Sequence, residues 1–490
     1  MNYQLKYKLK LLLILLGYLS QALTAQTVIE PILESYKKDK DLQHAQFSFC
    51  IMEAATGKVI KEYNSEMGLI PASTLKIMVT STALGLLSKD FTYKTGYYFI
   101  DKTDSISGIK KGDLIIKGSG DPTFNSSYFY ENDSLFLIPL IKKMMAKEIK
   151  NINGTIITDA SYFDNTIPST WIWGDIGNYF GAGANGLSYK DNKFSLYYNS
   201  GNVGTEAKLE KISPPYFFNK LTIQSKIISK GTEDDAFVFG DPNSYTRKVI
   251  GSIPPNKKFY EVEAQMPEPA LFFAYTLKKQ LEKNKIICAN ANPIINEDYH
   301  KITYQNSNLI YTQQSPKLDK IVFYTNSKSN NHYAESLLKT IGANKYDKQG
   351  STDNGIEAIK NYWQSRGVDI SGLHMVDGSG LSRANTITTK IQATVLSKIY
   401  RDTVMYNAFN LSLPVAGKNG SMISLCKGTF AENNMRAKTG YINRVRGYCG
   451  YVKTKAGKEL TFSVLFNNYD CSPKEMKLKI EKLLIALVDL

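Results

Sequence analysis

The sequence predicts an α/β (α+β) protein in which one domain is interrupted by a large, mostly β insertion. Alternating apolar residues predict strands near the N-terminus, at Gln46 to Met52 and Val59 to Tyr63, and near the C-terminus, at Arg446 to Val452 and Leu460 to Phe466. From about residue 91 to residue 293 the chain instead has short strands, polar turns and few helices. Because strands and helices at both ends bracket this different middle, we expect the two ends to form one domain.

The remaining elements follow from apolar periodicity and from end signals. Gly342 and Gly367 are expected to end two helices, because glycine commonly follows a helix C-terminus. Helices are predicted at Val28 to Tyr36, Pro71 to Leu87, Pro269 to Lys283, Asn331 to Ile341, Gly355 to Ser365, Lys390 to Asp402 and Pro473 to Leu490. Strands of the middle region are predicted at Asp113 to Lys117, Thr155 to Asp159, Leu221 to Ser225 and Phe237 to Gly240.

Length and composition narrow the functional classes. With 490 residues the chain is too long for one ordinary core, and 43% hydrophobic residues are typical of a globular protein. A net charge of +15 would favour binding to an anionic polymer, either nucleic acid or a carboxylate-rich cell wall. The lysines are scattered along the chain, however, which is equally typical of a protein from a generally basic proteome. The five cysteines form no zinc pattern, and no two histidines are close in sequence. We therefore expect no metal and no other cofactor.

Residues 1–25 have the composition of a secretory signal peptide. Lys6, Lys8 and Lys10 precede a short apolar run, and small residues follow it, so cleavage is predicted after Ala22 or Ala25. The apolar run is too short for a stable membrane anchor, and no later stretch of about 18 apolar residues follows. The mature protein is expected to be exported and to have no membrane anchor.

The segment from Pro71 to Lys76 offers nucleophilic chemistry at the start of an apolar helix. Ser73 and Lys76 are three residues apart, which puts them on one helix face. A serine hydroxyl needs a base, and a lysine can act as one when burial lowers its pKa. Because Ser-x-x-Lys also recurs by chance, the spacing alone leaves a purely structural role open.

Two further motifs lie in the C-terminal half. Ser329 and Asn331 form Ser-x-Asn before a predicted helix, where both polar side chains can face a cleft. Lys438, Thr439 and Gly440 form Lys-Thr-Gly beside predicted strands, where a sheet edge can bind an extended substrate. A capping serine and a turn glycine are the alternative interpretations.

The order of these motifs along the chain favours a catalytic interpretation over a structural one. Ser-x-x-Lys, then Ser-x-Asn, then Lys-Thr-Gly is typical of the penicillin-recognising serine enzymes. The chain resembles the class C low-molecular-mass penicillin-binding proteins, which form the D-alanyl-D-alanine carboxypeptidase/endopeptidase family of serine peptidases related to β-lactamases. Three further blocks are also similar to that family: Asp377 to Arg383, Leu413 to Gly417 followed by Gly420 and Ser421, and Gly118 to Pro122.

The resemblance implies a β-lactamase/DD-peptidase-like transpeptidase domain, with an antiparallel sheet flanked by helices. Residues 26–90 and 294–490 would form this penicillin-binding domain. Residues 91–293 would form one or two inserted accessory domains.

The resemblance also implies residue roles. Ser73 would be the nucleophile and Lys76 its base, Ser329 would relay a proton, and Asn331 would position Lys76 and the substrate amide. Lys438 would support the relay and attract the substrate carboxylate. On the substrate-binding side, Thr439 would bind that carboxylate, Gly440 completes the motif, and the backbone N–H of Tyr441 would join that of Ser73 in an oxyanion hole. His332 is expected to be a bystander.

The implied function is a serine-type D-Ala-D-Ala carboxypeptidase, with possible DD-endopeptidase action, on peptidoglycan stem peptides in the periplasm. β-Lactam antibiotics would be inhibitors, nucleic acid would not be a partner, and the oligomeric state stays open. Two alternatives share the fold, namely a β-lactamase and a non-catalytic wall-binding or penicillin-sensing protein. The chain has no Glu-x-x-Leu-Asn between Asn331 and Lys438, which disfavours one large β-lactamase class.

Overall fold

A computed structural model describes residues 28–102, 112–130, 133–215, 220–288 and 291–490. The predicted signal peptide, residues 1–25, lies outside these ranges. The described residues divide into two compact units. The first contains the described residues up to Gly85, together with Val322–Ser329 and Ile359–Leu490, and the second contains those of Leu86–Ile321 and Asn330–Ala358.

The strands are numbered in chain order. They are β1 (Gln46–Glu53), β2 (Val59–Tyr63), β3 (Lys94–Asp101), β4 (Gly112–Lys117), β5 (Thr155–Asp159), β6 (Lys193–Asn199), β7 (Lys208–Ser213), β8 (Thr222–Ser229), β9 (Phe237–Phe239), β10 (Thr246–Ile253), β11 (Tyr260–Gln265), β12 (Asn292–Asn296), β13 (Leu309–Gln314), β14 (Arg436–Ile442), β15 (Val445–Lys453) and β16 (Glu459–Asn467).

The helices are numbered in the same way. They are α1 (28–37), α2 (Lys76–Leu87), α3 (Asp133–Phe136), α4 (Ile138–Ala146), α5 (Trp173–Ile176), α6 (Pro269–Lys283), α7 (Leu318–Ser327), α8 (Asn331–Tyr346), α9 (Thr352–Ser365), α10 (Thr389–Arg401), α11 (Thr403–Ser412) and α12 (Pro473–Ala486). Within the described residues, none of these helices is long and apolar enough to cross a membrane.

The first unit is built on one antiparallel sheet with the strand order β14-β15-β16-β1-β2. Strand β1 is buried on both faces. Its Phe47 and Ile51 side chains belong to a core shared with α1 and α12, whereas Cys50 and Met52 pack with Ala393 of α10. Helices therefore cover both faces of the sheet, which is why this antiparallel strand is apolar along its length.

The second unit contains a five-stranded sheet with the order β12-β5-β4-β3-β13 and two three-stranded sheets, β8-β10-β9 and β11-β6-β7. Its core includes side chains from all three sheets and from α4 and α6. Helix α6 supplies one apolar stripe, with Phe273, Leu277 and Leu281 fully buried at helical spacing.

The predicted fold class is confirmed, with an antiparallel sheet formed by both chain ends and a middle region rich in strands. The predicted domain boundaries stay a prediction, and the observed units differ from them. Residues 294–321 and 330–358 fall in the second unit. The sheet explains part of this difference, because β12 pairs with β5 and β13 pairs with β3.

Two local predictions are wrong. Gly342 does not end α8, which continues to Tyr346, because this glycine lets two backbones approach: a Cβ added there would lie 2.6 Å from the backbone nitrogen of Gly355. The helix predicted from Pro71 instead begins as a 3₁₀ turn, Ala72–Leu75. Ala72 has a φ of +46°, in the left-handed region, which a regular α-helix does not accommodate.

Candidate active site

Ser73 lies in the 3₁₀ turn Ala72–Leu75, between β2 and α2. Its Oγ accepts a hydrogen bond from the Nζ of Lys76 at 2.8 Å. Lys76 is the first residue of α2 and is fully buried, whereas Ser73 is half-buried. A reachable hydroxyl beside a buried lysine is the arrangement that an activated serine nucleophile requires.

The block from Asp377 to Arg383 orients the amine of Lys76. Lys76 also donates through Nζ to the carbonyl of Ser379, at 2.6 Å. The buried carboxylate of Asp377 accepts hydrogen bonds from the N–H groups of Gly380 at 2.8 Å and Ser382 at 2.7 Å. Because these bonds fix the loop from within, the Ser379 carbonyl is a stationary acceptor that holds the lysine amine toward Ser73.

Two glycines allow neighbouring segments to approach the nucleophile turn. Gly380 has a φ of +76°, and a Cβ on it would lie 1.9 Å from the carbonyl oxygen of Ala72. A Cβ on Gly440 would lie 2.6 Å from the carbonyl oxygen of Pro71. Real Cβ atoms do not approach oxygens this closely, so both positions require glycine. The glycine of the Lys-Thr-Gly motif therefore packs β14 against the turn that carries Ser73.

A second serine–lysine pair lies in the same unit. The Nζ of Lys438 donates to the Oγ of Ser329 at 2.9 Å and to the carbonyl of Thr439 at 2.8 Å. Lys438 is fully buried, and burial lowers the pKa of its amine to about 7. Ser329 is half-buried, in the loop after α7, with a φ of +57°. A lysine whose pKa is near neutrality can exchange protons with its neighbour at physiological pH.

The Lys-Thr-Gly motif lies on β14, an edge strand of the sheet. Thr439 donates through Oγ1 to the Oγ of Ser421 at 2.7 Å, and Tyr441 is 49% exposed. An edge strand can receive an extended peptide by strand addition. Ser421 was not among the predicted site residues, although it lies beside a block that resembles the family; the structure places it next to Gly420 in the 3₁₀ turn Gly420–Met422.

A buried polar network beneath the Ser73 turn was also not predicted. Gln392 of α10 donates through Nε2 to Thr74 Oγ1 at 2.9 Å, and its Oε1 accepts a hydrogen bond from Ser463 at 2.6 Å. Thr74 in turn donates to the Pro71 carbonyl at 2.8 Å. The side chains of Gln392, Thr74 and Ser463 are fully buried. No local sequence signal distinguishes Gln392 from the other polar residues of α10.

Asn331 and His332 belong to the second unit. Asn331 begins α8, and its Nδ2 donates to the carbonyl of Phe180 at 2.8 Å. The Nε2 of His332 lies 2.9 Å from the Oγ of Ser188 and 3.1 Å from the Nδ2 of Asn192. Burial is the largest cause that lowers the pKa of His332 to about 3, so its ring is neutral at physiological pH.

Four predicted residues thus form two hydrogen-bonded pairs inside the first unit, and Asn331 lies in the second. Among the described residues, no group of three or more His, Cys, Asp and Glu side chains is arranged to hold a metal ion. The side chains of the first unit can therefore supply a nucleophile, two amines and a second hydroxyl: Ser73, Lys76, Lys438 and Ser329.

Comparison with known proteins gives the same class along most of the chain. The model of the D-Ala-D-Ala carboxypeptidase 3 (S13) family matches residues 30–487. A D-alanyl-D-alanine carboxypeptidase of Actinomadura sp. (strain R39) is 24% identical, over 90% of this chain and 81% of the relative. The D-alanyl-D-alanine carboxypeptidase DacB of Haemophilus influenzae is 24% identical, over 86% of this chain and 85% of the relative.

A solved structure is similar along the same length. The crystal structure of penicillin binding protein 4 (dacB) from Haemophilus influenzae has a TM-score of 0.77 and 21% identity, and covers 93% of this chain and 98% of its own. A second structure of that protein, complexed with a β-lactam, has a TM-score of 0.70 and 21% identity, and covers 90% of this chain and 95% of its own. These structures confirm the fold.

The fold and the two serine–lysine pairs define a serine peptidase of the penicillin-binding class. The chain belongs to the D-Ala-D-Ala carboxypeptidase 3 (S13) family, whose model extends over both units. The resemblance to class C low-molecular-mass penicillin-binding proteins is thereby confirmed.

Proposed function

We propose that this chain removes the terminal D-alanine of peptidoglycan stem peptides through an acyl-enzyme on Ser73. The observation that carries the proposal is the 2.8 Å contact between Ser73 and Lys76, in which the lysine is buried and held from behind by the Ser379 carbonyl. This arrangement supports a serine nucleophile with a lysine base, and the family supplies the bond that is cut.

In the acylation step, neutral Lys76 accepts the hydroxyl proton of Ser73 as Oγ attacks the carbonyl carbon between the two D-alanines. A C–O bond forms, and the carbonyl oxygen becomes an oxyanion. The backbone N–H groups of Ser73 and Tyr441 are proposed to stabilise it. Collapse of the tetrahedral intermediate breaks the C–N bond and leaves an ester on Ser73.

The leaving amine must receive a proton, and the second pair is suited to deliver it. The Ser329 hydroxyl passes a proton to the departing nitrogen and is reprotonated through Lys438, its neighbour at 2.9 Å. A water molecule then attacks the ester, the C–O bond to Ser73 breaks and the shortened peptide leaves. Lys76 returns its proton to Ser73 Oγ, and the proton lost by the water restores Lys438 through Ser329. Asn331 is proposed to orient Lys76 and the substrate amide.

The substrate carboxylate is proposed to bind at β14. Protonated Lys438 attracts this carboxylate, and the Thr439 hydroxyl turns from Ser421 to donate its hydrogen to it. The Thr439 hydroxyl already bonds to Ser421, which presents a second hydroxyl at the same position. A terminal D-alanine supplies such a carboxylate, and so do β-lactams, which we propose as inhibitors.

Export belongs to the same proposal. Residues 1–25 have the composition of a signal peptide, and the substrate lies in the cell wall. We place the mature protein in the periplasm.

Product analysis tests the proposed reaction. The mature protein is incubated separately with a pentapeptide ending in D-Ala-D-Ala, with a cross-linked stem-peptide dimer and with a β-lactam. Release of D-alanine from the pentapeptide is expected, and cleavage of the dimer would add endopeptidase action. Rapid turnover of the β-lactam without D-alanine release would instead identify a β-lactamase, and no turnover of any compound would leave a binding protein.

A further inference from the structure

The first turn of α8 is anchored by side-chain contacts inside the second unit. Asn331, His332 and Tyr333 follow one another there, and each side chain bonds to a residue between 126 and 192. The segment that supplies these anchors lies wholly within the insertion predicted from the sequence.

The amide of Asn331 is held in one orientation. A carbonyl oxygen can only accept, so the contact with Phe180 identifies the bonded atom as Nδ2 and directs Oδ1 to the opposite side. Phe180 lies in the 3₁₀ turn Tyr179–Gly181. The preceding Asn178 is buried and donates through Nδ2 to the Gly174 carbonyl at 2.7 Å, which fixes that turn.

His332 is held just as firmly, and as an acceptor. Asn192 donates to the Gly183 carbonyl at 3.0 Å and accepts from the Tyr189 N–H at 3.0 Å, so the orientation of its amide is unambiguous. Its Nδ2 therefore donates to the Nε2 of His332 at 3.1 Å, and the imidazole carries its proton on Nδ1. Ser188 approaches the same Nε2 at 2.9 Å.

Tyr333 completes the anchoring. Its hydroxyl lies 2.7 Å from Ser126 Oγ and 3.2 Å from the carboxylate of Asp191. The backbone N–H of Tyr333 is capped by the side chain of Asn330 at 3.1 Å. The helix start is thus fixed through Asn331 and through the two residues that follow it.

We propose that His332 is a positioning residue for Asn331. Through Asn192 and Ser188 it holds the first turn of α8 against the inserted segment of the same unit. The amide of Asn331 therefore presents its oxygen in a single orientation. The inserted segment thereby fixes the orientation of Asn331, one residue of the Ser-x-Asn motif. This inference rests on the proposed function, in which Asn331 orients Lys76 and the substrate amide.

The chemistry explains why the orientation matters. A lysine amine and a peptide N–H both require an acceptor, and only the oxygen of an asparagine amide is one. If the first turn of α8 shifts, the contact to Phe180 weakens and the amide can rotate its NH₂ group toward these donors. The reaction would slow although every catalytic side chain is still present. His332 takes no part in proton transfer, which agrees with its neutral, buried ring.

The test compares two substitutions at one position. His332→Leu removes the acceptor at nearly constant size, whereas His332→Gln can place an amide oxygen near the position of Nε2. We expect His332→Leu to lower kcat for D-alanine release and the rate of acylation by benzylpenicillin about 10- to 100-fold, with a smaller change in KM. His332→Gln is expected to recover most of the lost rate.

Tyr97→Phe is the matched control. The Tyr97 hydroxyl is fully buried in the same unit and donates to Gln313 at 2.9 Å, so this variant also removes one buried hydrogen bond. Its melting temperature should fall, but its acylation rate should equal that of the wild type. Equal slowing in His332→Leu and Tyr97→Phe, or wild-type rates in His332→Leu, would overturn the proposal.

If His332→Leu does not fold, Ser188→Ala and Asn192→Leu replace it. Asn192→Leu removes the Nδ2 donor to Nε2 at similar size, so it should slow acylation more than Ser188→Ala, and normal rates in both would overturn the proposal. The wild type separates this inference from the proposed function. A wild type that is neither acylated nor able to release D-alanine refutes the function, whereas an active wild type with equally active variants refutes only the positioning role.

Discussion

The two serine–lysine pairs of the first unit look alike but are built differently. In each, a fully buried lysine donates to a half-buried serine, at 2.8 Å for Lys76 and Ser73 and at 2.9 Å for Lys438 and Ser329. Each lysine also donates to a backbone carbonyl. The first pair is closed within one turn of chain, whereas the second joins a loop to a strand 109 residues later.

The surroundings of the two serines differ as well. Ser73 lies in a turn that Gly380 and Gly440 contact at backbone distance and that Gln392 supports from below. Ser329 lies in a loop at a left-handed φ of +57°. A nucleophile must be held still against the carbon it attacks, whereas a relay must reach the departing nitrogen. The pair that lies within one supported turn thus suits the nucleophile, and the pair that joins a loop to a strand suits the relay.

The largest difference between the pairs should appear in paired alanine variants. Ser73→Ala is expected to lower kcat for D-alanine release by about 10⁴-fold or more, because it removes the nucleophile. Ser329→Ala should lower it by about 10²- to 10³-fold, because proton transfer to the leaving group then depends on water. Steady-state rates on the pentapeptide measure both. Losses of equal size would remove the distinction between nucleophile and relay.

A smaller effect is expected from the support beneath Ser73. Gln392→Met keeps the size of the side chain but removes its bonds to Thr74 and Ser463, so the turn loses its anchor. We expect about a 10-fold slower acylation by benzylpenicillin and a loss of about 2–3 kcal/mol in the free energy of unfolding. Rapid-quench acylation and denaturant unfolding provide the measurements. Lost stability with unchanged acylation would show that the network is only structural.

The third prediction concerns Lys438 and the pH dependence of stability. Its pKa is about 7 in the folded protein against an ordinary value of 10.5, so the unfolded chain binds an extra proton between these values. The contribution of Lys438 to the free energy of unfolding therefore rises with pH in this window, by up to about 1.4 kcal/mol per pH unit. The penalty for its buried charge is fully present below pH 7.

Subtraction isolates this contribution. Lys438→Met removes the titrating group, so the wild-type curve minus the variant curve should rise between pH 7 and pH 10 in denaturant titrations. Tyrosines titrate in both proteins and cancel. Parallel curves would show that burial does not lower the pKa of the Lys438 amine.

The same comparison shows what the sequence could predict. The Ser73–Lys76 pair is local, so residue spacing and an apolar helix were sufficient to propose it. The strands β1 and β16 follow from alternation. The Ser329–Lys438 contact depends on how distant segments meet, and only the resemblance to a family placed those residues in one site.

Other features lay beyond any local signal. Gln392 is one of several polar residues of α10, and nothing in the sequence shows that it faces Thr74. Gly342 has the appearance of a helix end, yet it serves a close backbone approach to Gly355. The αL conformation of Ala72 is imposed by packing, because alanine does not favour it.

The most direct measurement is the intact mass of the mature protein after mixing with benzylpenicillin, followed by peptide mapping. Wild type, Ser73→Ala and Ser329→Ala are compared. The wild type and Ser329→Ala should both gain one penicilloyl group on the peptide that contains Ser73, the variant more slowly, and Ser73→Ala should gain none. A penicilloyl adduct on Ser73→Ala, or an adduct on Ser329 in the wild type, would contradict the assignment of Ser73 as the nucleophile.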